Sequence, residues 1–221
     1  GRVLLEQDVT GHTLIRVGGD LSGTERQALP LLAATLLTKE ECTLSNVPDL
    51  SDIRTMIALL RSLGAEVEFE QGSRRVHVRA AEITSTVAPP ALVGKMRASF
   101  LVAGPLLARC GEVTASTPGG CQLGARPVDV DVRGFRQMGA EIEANDEQIV
   151  ACANGLRGAH IYMDYPSHTG TENLLMAAVL ADGRTTIVNA SCEPEIVALG
   201  NMLNRMGARI SGLGSPTLVI E

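Results

Sequence analysis

Tryptophan is absent from this 221-residue chain, and Phe and Tyr number only three and two. That excludes a single-stranded nucleic-acid binder built on aromatic stacking platforms. Positive charge is also short: 19 Lys and Arg face 25 Asp and Glu, a net charge of −6. Duplex binding leans on clustered cations, so no nucleic acid is expected as a partner. A few arginines brought together could still hold a small anion. No uncharged apolar run approaches the roughly 18–20 residues needed to cross a bilayer, so no membrane partner is expected. The first thirty residues carry charges throughout and lack a signal-peptide core. The five cysteines (Cys42, Cys110, Cys121, Cys152, Cys192) are dispersed and show no CxxC pair. They read as free thiols of a reducing, cytoplasmic compartment. With the four His they make no zinc-site spacing, and no metal or cofactor is expected.

What the chain does have is apolar bulk and repetition. At 45% hydrophobic it can bury a full core, as one large domain or two small ones. Residues 60–68 read LRSLGAEVE, 135–143 read FRQMGAEIE, and 203–211 read LNRMGARIS. Their Gly-Ala pairs begin at Gly64, Gly139 and Gly207, spaced by 75 and 68 residues. The flanking segments repeat too, which points to three structural units. Each has a segment apolar on nearly all sides (29–37, 96–108, 174–181), expected as a helix buried all round. A short strand follows (42–46, 112–116, 185–189), then an amphipathic helix. Ile53, Met56, Ile57 and Leu60 keep the i, i+3, i+4, i+7 rule, as do Ile196, Leu199, Leu203 and Met206. Asp49 or Ser51 is the expected N-cap of the first such helix, and Glu193-Pro194 suits the opening of the third. Each Gly of the Gly-Ala pairs is a helix stop. Two alternating strands come next, such as 65–70 and 75–80. Each unit therefore reads β-α-β-α-β-β, with the apolar helices inside and sheets as walls.

The middle unit departs from its siblings in TPGGCQLGARPVDVDV (117–132). Its glycines permit close backbone approach to a ligand, and Pro127 suits a first helical turn. A helix N-terminus beside Arg126 could cradle phosphate; an ordinary Gly-rich turn is the alternative. Cys121 lies within this loop, where a helix N-terminus and Arg would lower its pKa. Arg97 heads the second apolar segment and is either a solvated end or an anion-binding guanidinium. Before the third lies YPSHTGTEN (165–173), with Ser167, Thr169 and Thr171 as capping candidates.

Taken together, MRASFLVAGPLLARCG, PGGCQLGARPVDV, NLLMAAVLADG, EPEIV and NVPDLSDIRTMIALLRSLGAEV resemble the UDP-N-acetylglucosamine enolpyruvyl transferase family, from about residue 21 to the end. The PGGC…GARPVD string is the most specific part. The resemblance implies an inside-out α/β barrel, in which two similar domains each comprise three βαβαββ units. One such domain is expected over 21–221, with units at about 21–80, 84–154 and 157–221 and an N-terminal segment at 1–20. It implies transfer of the enolpyruvyl group of phosphoenolpyruvate to the 3-hydroxyl of UDP-N-acetylglucosamine, an early step of peptidoglycan precursor synthesis. Cys121 then matches the proton donor that fosfomycin alkylates in the family. Arg126, Pro127, Val128, Asp129 and Val130 match the stretch that grips the nucleotide sugar. Arg97 matches an anion-binding Arg, and Tyr165, Pro166, Ser167 and His168 match a loop near the nucleotide. The family's active site lies between two domains, so this chain is expected to be inactive without the second and to self-associate through the face left uncovered.

Two stretches depart from the family pattern: PSHTG (166–170) replaces a more usual Ser-Val-Gly in the loop near the nucleotide, and the second precedes the first apolar segment. Glu25 and Arg26 stand where the family carries Lys-Asn, and a Glu there would repel phosphoenolpyruvate. The alternative reading is a divergent, non-catalytic relative that binds a nucleotide sugar or a partner protein. The related transferase of the shikimate pathway shares the fold but lacks the cysteine loop.

Overall fold

The computed structural model describes residues 4–7, 13–17, 25–116, 128–145 and 147–221. The chain opens with a hairpin of β1 (Leu4–Gln7) and β2 (Thr13–Val17). Helix α1 (Glu25–Ala34) follows and runs into a 3-10 turn at Thr35–Leu37. Every residue from Ala28 to Ala34 is buried, as expected of a helix without a polar face. Next come β3 (Glu41–Leu44), α2 (Ser51–Ser62), β4 (Glu66–Glu70) and β5 (Arg75–Arg79). The parallel pairing of β2 with β3 gives the first unit its opening strand from residues 13–17. Its sheet runs β1-β2-β3-β5-β4.

The second unit begins at Val87, which bridges in parallel to Thr114, and passes through the short α3 (Pro90–Val93). Its apolar segment is two helices rather than one: a 3-10 helix at Arg97–Val102, then α4 (Ala103–Cys110). Strand β6 (Glu112–Ser116) pairs with β8 (Gln148–Cys152), which pairs with β7 (Glu141–Ala144). Helix α5 (Asp129–Gln137) precedes them. The third unit comprises β9 (His160–Tyr162), α6 (His168–Ala178), β10 (Thr185–Val188), α7 (Pro194–Arg205), β11 (Ile210–Ser211) and β12 (Thr217–Ile220). Its sheet order is β11-β12-β10-β9, with β9 and β10 parallel. All three units thus share one pattern: a parallel pair on the crossover side, then two antiparallel strands in swapped order.

The repeat is equally plain in the turns. Gly64, Gly139 and Gly207 all have positive φ, at 107°, 94° and 107°. At each, the N–H of the following Ala reaches back to a carbonyl five residues earlier: Ala65 to Leu60, Ala140 to Phe135, and Ala208 to Leu203, each at 3.0 Å. This is the Schellman ending that a C′ glycine permits. Asn46 and Asn189, just past β3 and β10, match as well, with φ of 61° and 62°.

The amphipathic helices close the gaps between sheet and core. In α2 the buried residues are Ile53, Met56, Ile57, Leu59 and Leu60; in α7 they are Ile196, Leu199, Gly200, Met202 and Leu203. Full burial of each such Leu or Ile contributes about 1.5–3 kcal/mol. The expected cap on α2 is not the one used. Its N-cap is Leu50, with no side-chain cap bond. Asp49 instead takes two hydrogen bonds from the exposed Arg54 guanidinium, at 2.7 and 2.8 Å, which hold its carboxyl below its ordinary pKa. At the third site Glu193 is the N-cap and Pro194 the first helical residue.

Inside, α4 packs on α6, α1 on the 97–102 helix and on α7, and α5 on α6. Two glycines set these approaches. A Cβ on Gly104 would meet the backbone carbonyl of Asn173, and one on Gly134 the side chain of Leu174. The helices lie inside and the sheets outside.

Candidate functional site

The first turn of α1, the 3-10 helix at Arg97–Val102 and the N-terminus of α6 enclose a cleft of about 620 Å³. Arg26, Leu29 and Pro30 form one wall, Arg97, Ala98 and Leu101 a second, and Tyr165, Ser167, His168, Thr169 and Glu172 the third. The mouth is cationic and the floor is apolar with one acid. Such a mixture suits a ligand carrying both anionic and neutral parts.

Local structure explains each placement. The β9–α6 loop is fixed by Ser167, the N-cap of α6, whose hydroxyl accepts from the Gly170 N–H at 3.1 Å. Thr171 bonds the Ser167 carbonyl at 2.7 Å and accepts from the Ser191 N–H at 3.0 Å. His168 lies 3.3 Å from Glu193, which also accepts from the Ser191 hydroxyl. The N-terminus of α6 therefore opens onto the cleft on a braced turn, with the positive end of its dipole facing inward.

Of the residues singled out in the sequence, Arg97, Tyr165, Ser167 and His168 meet in this cleft. Pro166 is exposed between them. Asp129 starts α5 and accepts a 3.0 Å hydrogen bond from the Tyr165 hydroxyl, which ties α5 to the cleft wall. That bond and burial push the Tyr165 phenol up from its ordinary value, burial most. Val128 is the half-buried N-cap of α5, and Val130 is buried in the core. Cys121, Arg126 and Pro127 lie outside the described residues.

Behind the wall stands a buried polar hub. Asn173 donates to the Asp131 carboxylate at 2.7 Å and to the Phe100 carbonyl at 3.2 Å, and accepts from the Gly104 N–H at 3.0 Å. Both Asn173 and Asp131 are buried. Burial pushes Asp131 up to about 6; the Asn173 bond, its own backbone N–H and Arg97 pull in the opposite direction. The hub joins the helix that carries Arg97, the start of α5 and the body of α6.

The pair at Glu25-Arg26 divides its duties. Glu25 pairs with Asp52 of α2, and that carboxyl–carboxyl hydrogen bond, more than burial, raises its pKa. Arg26 lines the cleft. The expected repulsion is therefore met by a cation on the cleft wall, while the acid faces another acid on α2. Sequence reasoning did not single out Glu172, which lies two residues before the apolar stretch 174–181.

Three βαβαββ units wrapped sheet-outward around buried helices, with a cationic cleft at the helix ends, define an enolpyruvyl-transferase type of domain. Solved structures agree: the enolpyruvyl transferase NikO from Streptomyces tendae superposes with a TM-score of 0.78 at 19% identity, covering 94% of this chain and 47% of that one. An EPSP synthase from Acinetobacter baumannii gives 0.67 at 17% identity, over 94% and 46%. The fold is the inside-out α/β barrel. Residues 6–221 match EPSP synthase (3-phosphoshikimate 1-carboxyvinyltransferase), and the chain belongs to this family. Similar curated relatives carry a more particular name. UDP-N-acetylglucosamine 1-carboxyvinyltransferase of Cellvibrio japonicus is 55% identical over 91% of this chain and 48% of its own length. UDP-N-acetylglucosamine 1-carboxyvinyltransferase 2 of Carboxydothermus hydrogenoformans is 52% identical over 97% and 49%. The chain spans about half the length of the curated relatives it matches.

Proposed function

We propose that this chain, over residues 21–221, supplies one half of the active site of a UDP-N-acetylglucosamine enolpyruvyl transferase. The observation that carries the reading is the cleft of about 620 Å³, which Arg26, Arg97 and the N-terminus of α6 line together. Relatives at 52–55% identity support the choice of substrates. In this reading Arg97 and Arg126 hold anionic oxygens, and Pro127, Val128, Asp129 and Val130 hold the nucleotide sugar. The loop Tyr165, Pro166, Ser167 and His168 borders the nucleotide. Cys121 gives a proton to the methylene carbon of phosphoenolpyruvate, which makes the neighbouring carbon electrophilic. The sugar 3-hydroxyl adds there and gives up its proton to a base of the second domain; a proton then leaves the new methyl group as phosphate departs, and the double bond re-forms. The step belongs to peptidoglycan precursor synthesis in the cytoplasm. The second half of the site comes from another enolpyruvyl transferase domain, and the face it covers promotes self-association when bare.

Phosphate release tests this directly. The chain is mixed with UDP-N-acetylglucosamine and phosphoenolpyruvate, alone and with the remaining half of the Cellvibrio japonicus relative. Turnover that needs both halves and both substrates, with a single fosfomycin adduct at Cys121 by mass spectrometry, is the expected result. No turnover and no adduct with both halves present would overturn it and favour the non-catalytic reading.

A further inference from the structure

Glu172 is 3% exposed, yet it lines the cleft from the second turn of α6. Among the described residues no hydrogen-bond donor reaches its carboxyl. A buried acid is ordinarily paired with a cation or held by donors. Here the groups behind it are acids: Glu195 and Glu193 at the start of α7, and Asp131 on α5. The cations of the cleft, Arg26 and Arg97, stand on the other two walls with Tyr165 and His168 at the rim.

We propose that Glu172 is a ligand contact of this cleft, its carboxyl giving a hydrogen bond to an uncharged oxygen of the bound nucleotide sugar. The proposal rests on the nucleotide-sugar reading above and adds to it a residue and a division of labour. The arginines take the anionic part of the ligand, and Glu172 takes a hydroxyl or carbonyl of its neutral part. Burial, followed by repulsion from Glu195, Asp131 and Glu193, pushes Glu172 up to about 8. The carboxyl is therefore protonated at neutral pH and can donate, and its second oxygen can accept from a ligand hydroxyl. An ionised acid at this point would oppose an anionic ligand; a neutral one does not.

Titration calorimetry of the full chain with UDP-N-acetylglucosamine tests the assignment, using wild type, Glu172→Gln and Glu172→Leu at pH 7 and pH 9. Gln keeps a donor and an acceptor in the same volume, so E172Q should bind within about threefold of wild type at pH 7. E172L should bind about tenfold or more weakly, the worth of a buried hydrogen bond. Wild-type affinity should fall about tenfold from pH 7 to pH 9 as the carboxyl ionises. E172Q reports every other titrating group, those of the ligand included, and should fall much less. Far-ultraviolet circular dichroism confirms that each variant is folded. Equal affinities for wild type and E172L, or parallel pH profiles for wild type and E172Q, would overturn the proposal and leave the nucleotide-sugar reading intact. Absence of binding by the wild type even with the remaining half of the Cellvibrio japonicus relative present would remove that reading, and the role of Glu172 with it.

Discussion

At the scale of single residues, the cleft depends on side chains that do not touch it. Asn173 satisfies a carboxylate, a carbonyl and an N–H in one buried hub. Asn173→Ala leaves Asp131 buried without its side-chain donor, and we expect a loss of about 2–4 kcal/mol in denaturant unfolding. Asp131 and Glu172 also set a pH dependence. Both have folded pKa values above their ordinary ones, about 6 and about 8. The unfolded chain therefore releases these protons first as pH rises. Their contribution is fully present below about pH 4 and is lost progressively as pH rises through 6 and then 8. Urea midpoints should decline from pH 5 to pH 8.5, and E172Q should flatten the upper part of that decline. The sequence makes Arg97 legible as the charged head of an apolar segment and Ser167 as a helix cap, whereas Tyr165 and His168 stand out only through the family resemblance. The sequence hides Glu172, because an acid beside an apolar run reads as the solvated end of a helix. Helix α6 starts at His168, four residues earlier, and so carries that acid into the interior.

At the scale of elements, local chemistry decided most of what could be read. The strand at 112–116 and the three glycine stops are where alternation and turn chemistry place them, because both signals are local. The cap of α2 was missed because Arg54, one turn along, competes for Asp49. The break between Val102 and Ala103 was missed because hydrophobicity does not distinguish 3-10 from α geometry. The three glycine stops are alike in φ but differ in surroundings, and this yields a graded prediction. Nothing lies within 4 Å of a Cβ at Gly139, so Gly139→Ala should cost only the strain of its positive φ, about 1 kcal/mol. At Gly64 the same Cβ would lie 2.7 Å from the Thr84 nitrogen and 2.6 Å from its hydroxyl oxygen. Gly64→Ala should therefore lower the melting temperature clearly more than Gly139→Ala, as thermal unfolding of the two variants would show.

At the scale of the whole molecule, the units are joined by more than apolar contact. Arg109, at the end of α4, donates to the carbonyls of Leu36, Thr38, Ala80 and Ala81, at 2.6–3.1 Å. One guanidinium of the second unit thus closes four acceptors of the first. Burial lowers its pKa without bringing it near neutrality. Arg109→Met keeps the stem but orphans those carbonyls. A loss of about 2–4 kcal/mol is expected, and Arg109→Lys should recover only part of it, since an ammonium cannot span two pairs of acceptors. Nothing in the sequence marks Arg109 for this task, because its partners lie 28 to 73 positions away.

The shared strand order of the three sheets has a further consequence. Each sheet closes its own ladder of backbone bonds, while the helices of all three units share one interior. Protons on the outer ladders can therefore be released to solvent one wall at a time. Those of α1, α4 and α6 are released only when the whole assembly opens. Deuterium uptake followed peptide by peptide should show three separate families of exchange times for the walls and a single, slowest family for the buried helices. A uniform rate across all of them would mean that the walls do not open independently.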